Sequence, residues 1–154
     1  MTSISQLIKS TKPKEINYFV LALVASAFLS GSAAASNWIF GGESEDLRNR
    51  VYYDTDSIRR DGQLVTAWVQ WDFTEIKYLG NIPYRSSLYL LYLDCTKNIS
   101  GNAQVVYFAD NRAQGTIVHT TRLRAIREIQ FEAHIPDSVG ENLINSICRR
   151  IQSR

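Results

Sequence analysis

The 154-residue sequence is poor in the residues that build metal centres, linkers and fibres. Its two cysteines, Cys95 and Cys148, are too few for a zinc site made of four thiolates. The two histidines, His119 and His134, would complete a mixed site only by converging with both cysteines, and their spacing matches no ligand pattern. No metal and no cofactor is therefore expected. Three prolines and eight glycines exclude a collagen-like or linker protein. Seventeen Lys and Arg against 15 Asp and Glu give a net charge of +2, too little for a nucleic-acid module held by charge. Gly-x-Ser-x-Gly, a phosphate-cradling glycine loop and His-Glu-x-x-His are all missing, so no enzyme is expected. What is present is a 45% hydrophobic and 21% charged composition, which suits a packed core.

The first 35 residues differ from the rest. Residues 1–17 are polar, with Lys9, Lys12 and Lys14 against Glu15, and an apolar run covers 18–29. Small residues follow, ending in Ala33-Ala34-Ala35. This is the order of a secretory signal peptide, with cleavage expected between Ala35 and Ser36. The alternatives are an uncleaved anchor or a buried helix. The apolar run is far short of the about twenty residues that span a bilayer, and a core helix would not end in three alanines beside Ser-Gly-Ser. No cysteine sits near the cleavage site, so no lipid can be attached there. Two parts result: a signal peptide, 1–35, and a single domain, 36–154. Removing 1–35 brings the basic and acidic residues into balance, which leaves no general attraction for nucleic acid or anionic lipid.

Strand signals fill most of the domain. Trp38, Ile39 and Phe40 are a short apolar run, and Val51-Tyr52-Tyr53 favours a strand. Asp54-Thr55-Asp56-Ser57 is a turn cluster, and Asp61-Gly62 suits a hairpin. Residues 63–73 alternate, with Val65, Ala67, Val69, Trp71 and Phe73 on the face expected toward the core. Gly80, Asn81 and Pro83 mark 74–83 as a loop. Residues 84–95 are apolar on both faces and read as a central strand. Two more strands, 103–109 and 115–120, complete a sheet of five or six, and 121–135 reads as extended or irregular.

The C-terminus reads as a helix. Ser138-x-x-Glu141 is a capping box, in which each side chain meets a free backbone N–H of the first turn. Leu143, Ile144, Ile147, Cys148 and Ile151 form one apolar stripe. Cys95 and Cys148 both fall on inward faces, and an oxidising compartment favours a disulfide between them. Closing that loop would stabilise the fold by about 4 kcal/mol in the chain-entropy model. Two free buried thiols, or a reactive cysteine, are the alternatives; only Lys97 flanks Cys95 closely as an activating group. The fold class is thus α+β, an antiparallel sheet with a C-terminal helix on one face.

Asp54, Asp56 and Asp61 lack the glycine and glutamate of a calcium loop and read as a capped turn. The aromatics say more. Trp68 and Trp71 point to opposite faces of one strand. With the helix on one side, Trp68 becomes the candidate binding-surface residue on the other.

Trp38, then Tyr52-Tyr53-Asp54-x-Asp56-Ser57-Ile58-Arg59-Arg60-x-Gly62, resembles the surface-adhesin protein E-like family. Tyr84-Arg85-Ser86 before a strand ending at Asp94-Cys95, and Ile135-Pro136-x-Ser138-x-Gly140-Glu141 before Cys148, extend the resemblance over 37–148. The resemblance implies a sheet whose concave side carries the helix, tethered by a disulfide. It also implies the envelope of Gram-negative bacteria, and for the namesake a non-enzymatic lipoprotein adhesin of host proteins. This chain lacks the lipobox cysteine. The expected function is an exported, non-enzymatic binding module, periplasmic or secreted. It would have a protein partner, no nucleic-acid partner and no stable membrane anchor after cleavage. The alternative is a periplasmic structural or accessory subunit of an envelope complex.

Overall fold

The computed structural model describes residues 36–153; the expected signal segment, with Ala35, lies outside them. Eight strands and one helix follow in chain order. They are β1 (Trp38–Glu43), β2 (Asn49–Asp54), β3 (Arg59–Asp61), β4 (Leu64–Leu79), β5 (Ile82–Asp94), β6 (Ile99–Phe108), β7 (Ile117–Thr120), β8 (Glu132–Ala133) and α1 (Val139–Gln152). Every pairing is antiparallel. The sheet runs β1-β2-β4-β5-β6-β7, with β3 added to β4 and β8 to β6. Eight strands replace the expected five or six. The two that sequence reasoning missed, β3 and β8, are two or three residues long and exposed throughout, so they carry no alternating apolar pattern.

The segment expected as a loop, 74–83, is the tip of a hairpin. After a bulge between Asp72 and Lys77, pairing resumes with Lys77↔Tyr84, Tyr78↔Pro83 and Leu79↔Ile82. Only Gly80-Asn81 turns, and Gly80 holds φ at +60°, a value that glycine adopts without strain. Pro83 is tolerated because β5 has no second neighbour there; its pairing with β6 starts only at Ser86↔Phe108.

The core lies between the sheet and α1. Val51, Tyr53, Val65, Ala67, Val69, Leu91 and Leu93 face Leu143, Ile144, Ile147 and Cys148, all buried. Each large aliphatic side chain buried here contributes about 1.5–3 kcal/mol. The helix lies over β1, β2 and β4. Its close approach to β1 needs Gly41, where an added Cβ would stand 2.9 Å from the Leu143 methyl.

The β5–β6 turn holds α1 at two points. Cys95 is bonded to Cys148, and Asn98 donates from Nδ2 to Glu141 Oε1 at 3.3 Å. The cap differs in one detail from a reciprocal box. Ser138 Oγ accepts from the Glu141 N–H at 3.2 Å, but Glu141 Oε2 accepts from the Asp137 N–H at 2.8 Å. The Ser138 N–H is already used, donating to the Ile135 carbonyl at 3.2 Å.

Candidate functional site

Register assigns the two faces of the sheet, because directly paired residues project to the same side. Val51↔Trp71↔Ser87↔Tyr107↔His119 lies on the helix side, where Trp71 packs against the core. Phe40↔Tyr52↔Gln70↔Leu88↔Val106↔Thr120 crosses six strands on the opposite side. Trp68↔Leu90↔Gln104 is the next row of that side. The structure thus places Trp68 on the face away from the helix, half-buried.

The helix α1 lies on the other side and leaves this second face open, except at one end, where Ile129 stands over Gly101. Phe40 is 54% exposed, and Tyr52, Trp68, Leu88, Leu90 and Val106 are each half-buried. Phe40 and Tyr52 meet edge to face with centroids 5.6 Å apart. Beside them a shallow depression is lined by Arg50, Tyr52, Asp72 and Arg112 among others. Arg50 lies opposite Asp72 on the neighbouring strand and is itself paired with Glu43 at 2.8 Å.

Asp72 is buried, and its role is structural. Its Oδ1 accepts from Gln70 Nε2 at 3.0 Å and from the Arg112 N–H at 2.8 Å. Asn111 Nδ2 donates to the carbonyls of Phe73 and Arg85, at 2.9 and 3.1 Å. Those carbonyls lie where the β4–β5 ladder breaks, so the β6–β7 loop satisfies the acceptors that the bulge leaves over. Sequence reasoning had no signal for this, because Asp110-Asn111-Arg112 reads only as a turn.

The other candidates fall apart spatially. Asp54 caps the 3-10 turn that follows β2, its Oδ1 accepting from the N–H groups of Asn37 and Asp56. Asp61 accepts from the Tyr92 hydroxyl at 3.2 Å. Cys95 and Cys148 are bonded to each other. His119 is exposed on β7 beside the Tyr107 ring. His134, just after β8, sits 2.9 Å from Ser100 Oγ. Burial holds its pKa below the ordinary histidine value, partly offset by Glu141 and Glu132. Among the described residues no three His, Cys, Asp or Glu side chains gather around a common point, and no helix is long and apolar enough to cross a membrane.

On the helix side, beyond the reach of α1, an aromatic ladder crosses β4 to β7. Phe73–Tyr84, Tyr84–Tyr107 and Tyr107–His119 stand 5.6, 4.9 and 5.9 Å apart. Burial raises the phenol pKa of Tyr84 and Tyr107. It also raises that of Tyr89, against a smaller opposing effect of the Ser87 hydroxyl.

Residues 38–149 match the model of a family described as surface-adhesin protein E. Among solved structures, the chain resembles Haemophilus influenzae protein E with a TM-score of 0.57 at 17% identity, over 78% of this chain and 89% of that one. A second structure, of protein E from non-typeable Haemophilus influenzae, gives 0.53 at 16% identity, over 79% and 82%. At these identities the likeness is one of fold. Among curated proteins nothing matches.

Proposed function

The chain belongs to the surface-adhesin protein E family, and from that premise we propose that it is an exported, non-enzymatic module that binds a protein partner through the uncovered face of its sheet. One observation carries the reading: the apolar and aromatic surface of Phe40, Tyr52, Trp68, Leu88, Leu90 and Val106, bordered by Arg50 and Arg112. Aromatic and arginine side chains dominate the energetic centres of protein interfaces. In this reading residues 1–35 are removed on export, and 36–154 is the working domain, periplasmic or secreted. The partner is a protein of the envelope or of a host matrix. The free sheet edges lend little to an accessory subunit built by strand addition. β7 has four residues, and β1 is interrupted by a bulge between Phe40 and Gly42.

The test is capture of partners from envelope fractions and from host matrix proteins by the exported protein and by its Phe40→Ser/Trp68→Ser variant. The reading expects a partner that the wild type retains and the folded variant loses. Equal capture by both would move the contact elsewhere.

A further inference from the structure

Past the row Glu43↔Arg50↔Asp72↔Ser86↔Phe108↔Ile117 the sheet narrows. β4 leaves β2 after Phe73, and β5 meets β6 only from Ser86, so the β4–β5 hairpin runs on as a two-stranded finger. From Ile76 to Tyr84 its one charge is Lys77. That ammonium lies over the Phe73 ring at the root, 5.8 Å from its centroid. Tyr78 pairs with Pro83, and Leu79 with Ile82. Paired residues share a side and successive residues alternate, so the finger is apolar on both sides. Tyr78 is 65% exposed, and Ile76, Ile82 and Pro83 are exposed with it.

The β1–β2 loop brings another apolar residue to the same end of the sheet. Leu47 is 62% exposed and holds φ at +58°. That conformation strains a bulky residue, and no burial of the side chain offsets the strain. The loop is fixed to the root of the finger. The Thr74 N–H donates to the Arg48 carbonyl at 2.9 Å, and the Arg48 guanidinium pairs with Glu75 at 3.6 Å.

We propose that this end of the molecule dips into the interfacial layer of a lipid membrane, with Tyr78, Ile82 and Leu47 entering it. The two-sided finger selects this occupant. A flat partner surface would cover one side and leave the other in water, whereas the boundary between headgroups and acyl chains surrounds whatever enters it. Tyrosine suits that depth, with its ring in the apolar layer and its hydroxyl in the wet one. The outer backbone groups of the finger have no sheet partner, so the tip stays where water still reaches and does not enter the hydrocarbon. With a single cation in the finger, apolar contact holds it, and the contact is weak and reversible. It is separate from the proposed partner face and does not depend on it.

The experiment is flotation of the purified exported protein with phosphatidylcholine vesicles, with and without phosphatidylglycerol. The wild type is expected to float with both at about 1 mM lipid. Tyr78→Asp/Ile82→Asp, at two exposed positions, should lower the bound fraction about tenfold or more. Leu47→Gly should also lower it, while its urea midpoint does not fall, because glycine takes the positive φ without strain. Phe40→Ser/Trp68→Ser should float as the wild type does; loss of flotation there would move the lipid contact to the open face and overturn the proposal. No flotation of the wild type, equal flotation of Tyr78→Asp/Ile82→Asp, or flotation that requires phosphatidylglycerol and is abolished by salt would overturn it as well. Loss of partner capture in Tyr78→Asp/Ile82→Asp, with no flotation of the wild type, would assign the finger to a protein contact instead.

Discussion

Single residues here differ in which side of the sheet they answer to. Val69 is fully buried, so Val69→Asp places an unpaired charge where neither water nor a partner is available; Trp71 is half-buried against the core, so Trp71→Asp removes that packing and sets a charge beside apolar side chains. Both variants are expected to lose the cooperative unfolding transition in circular dichroism, while Trp68→Asp, on the open face, keeps it. His134 gives the fold a pH dependence. Burial lowers its pKa below the ordinary 6.5, against Glu141 and Glu132. Between the folded value and 6.5 the unfolded chain binds more protons than the folded one, so stability rises with pH through that interval. The contribution is complete above about pH 6.5 and is lost as the pH falls below it. Urea denaturation at pH 7.5 and pH 5 should show a larger loss for the wild type than for His134→Asn. An equal loss would place the acid sensitivity in other groups.

At the scale of elements, the long alternating pieces were legible and the short exposed ones were not. Residues 63–73 announce their buried face because Val65, Ala67 and Val69 alternate with polar or half-exposed neighbours. The helix was equally plain from Ser138, Glu141 and its apolar stripe. β3 and β8 bury nothing, so only their partners' backbones reveal them. The hairpin tip was masked because Gly80, Asn81 and Pro83 cluster as turn residues although one pair alone turns. Trp68 could be assigned a face from alternation. The contact of Ser100 with His134 could not be foreseen, since the two meet only through the β6–β8 pairing. Two predictions belong to the helix. Ser138→Ala removes its cap and should cost about 1 kcal/mol in chemical denaturation. Cys95→Ser/Cys148→Ser frees a loop with a sequence separation of 53 and should cost about 4 kcal/mol. A double variant as stable as the wild type would mean that packing alone seats α1.

For the whole molecule, the proposed export step accounts for where the sequence keeps its charge. Lys9, Lys12 and Lys14 all precede Ala35, and the working domain is electrically balanced. Mass spectrometry of the exported protein should find Ser36 as the first residue. Recovery of 1–35 on that protein would replace a free domain with an anchored one. The covalent link reaches further than stability. The ring that Cys95 and Cys148 close runs from the β5–β6 turn to α1. In the reducing interior where a chain awaiting export is made, that ring would be open, and α1 would be held on the sheet by noncovalent contacts alone. On the proposed export, oxidation after translocation would close the ring and tie α1 to the β5–β6 turn. If the chain is exported as proposed, the compartment decides when the helix is tied down: the covalent tether forms at the destination and not where the chain is made.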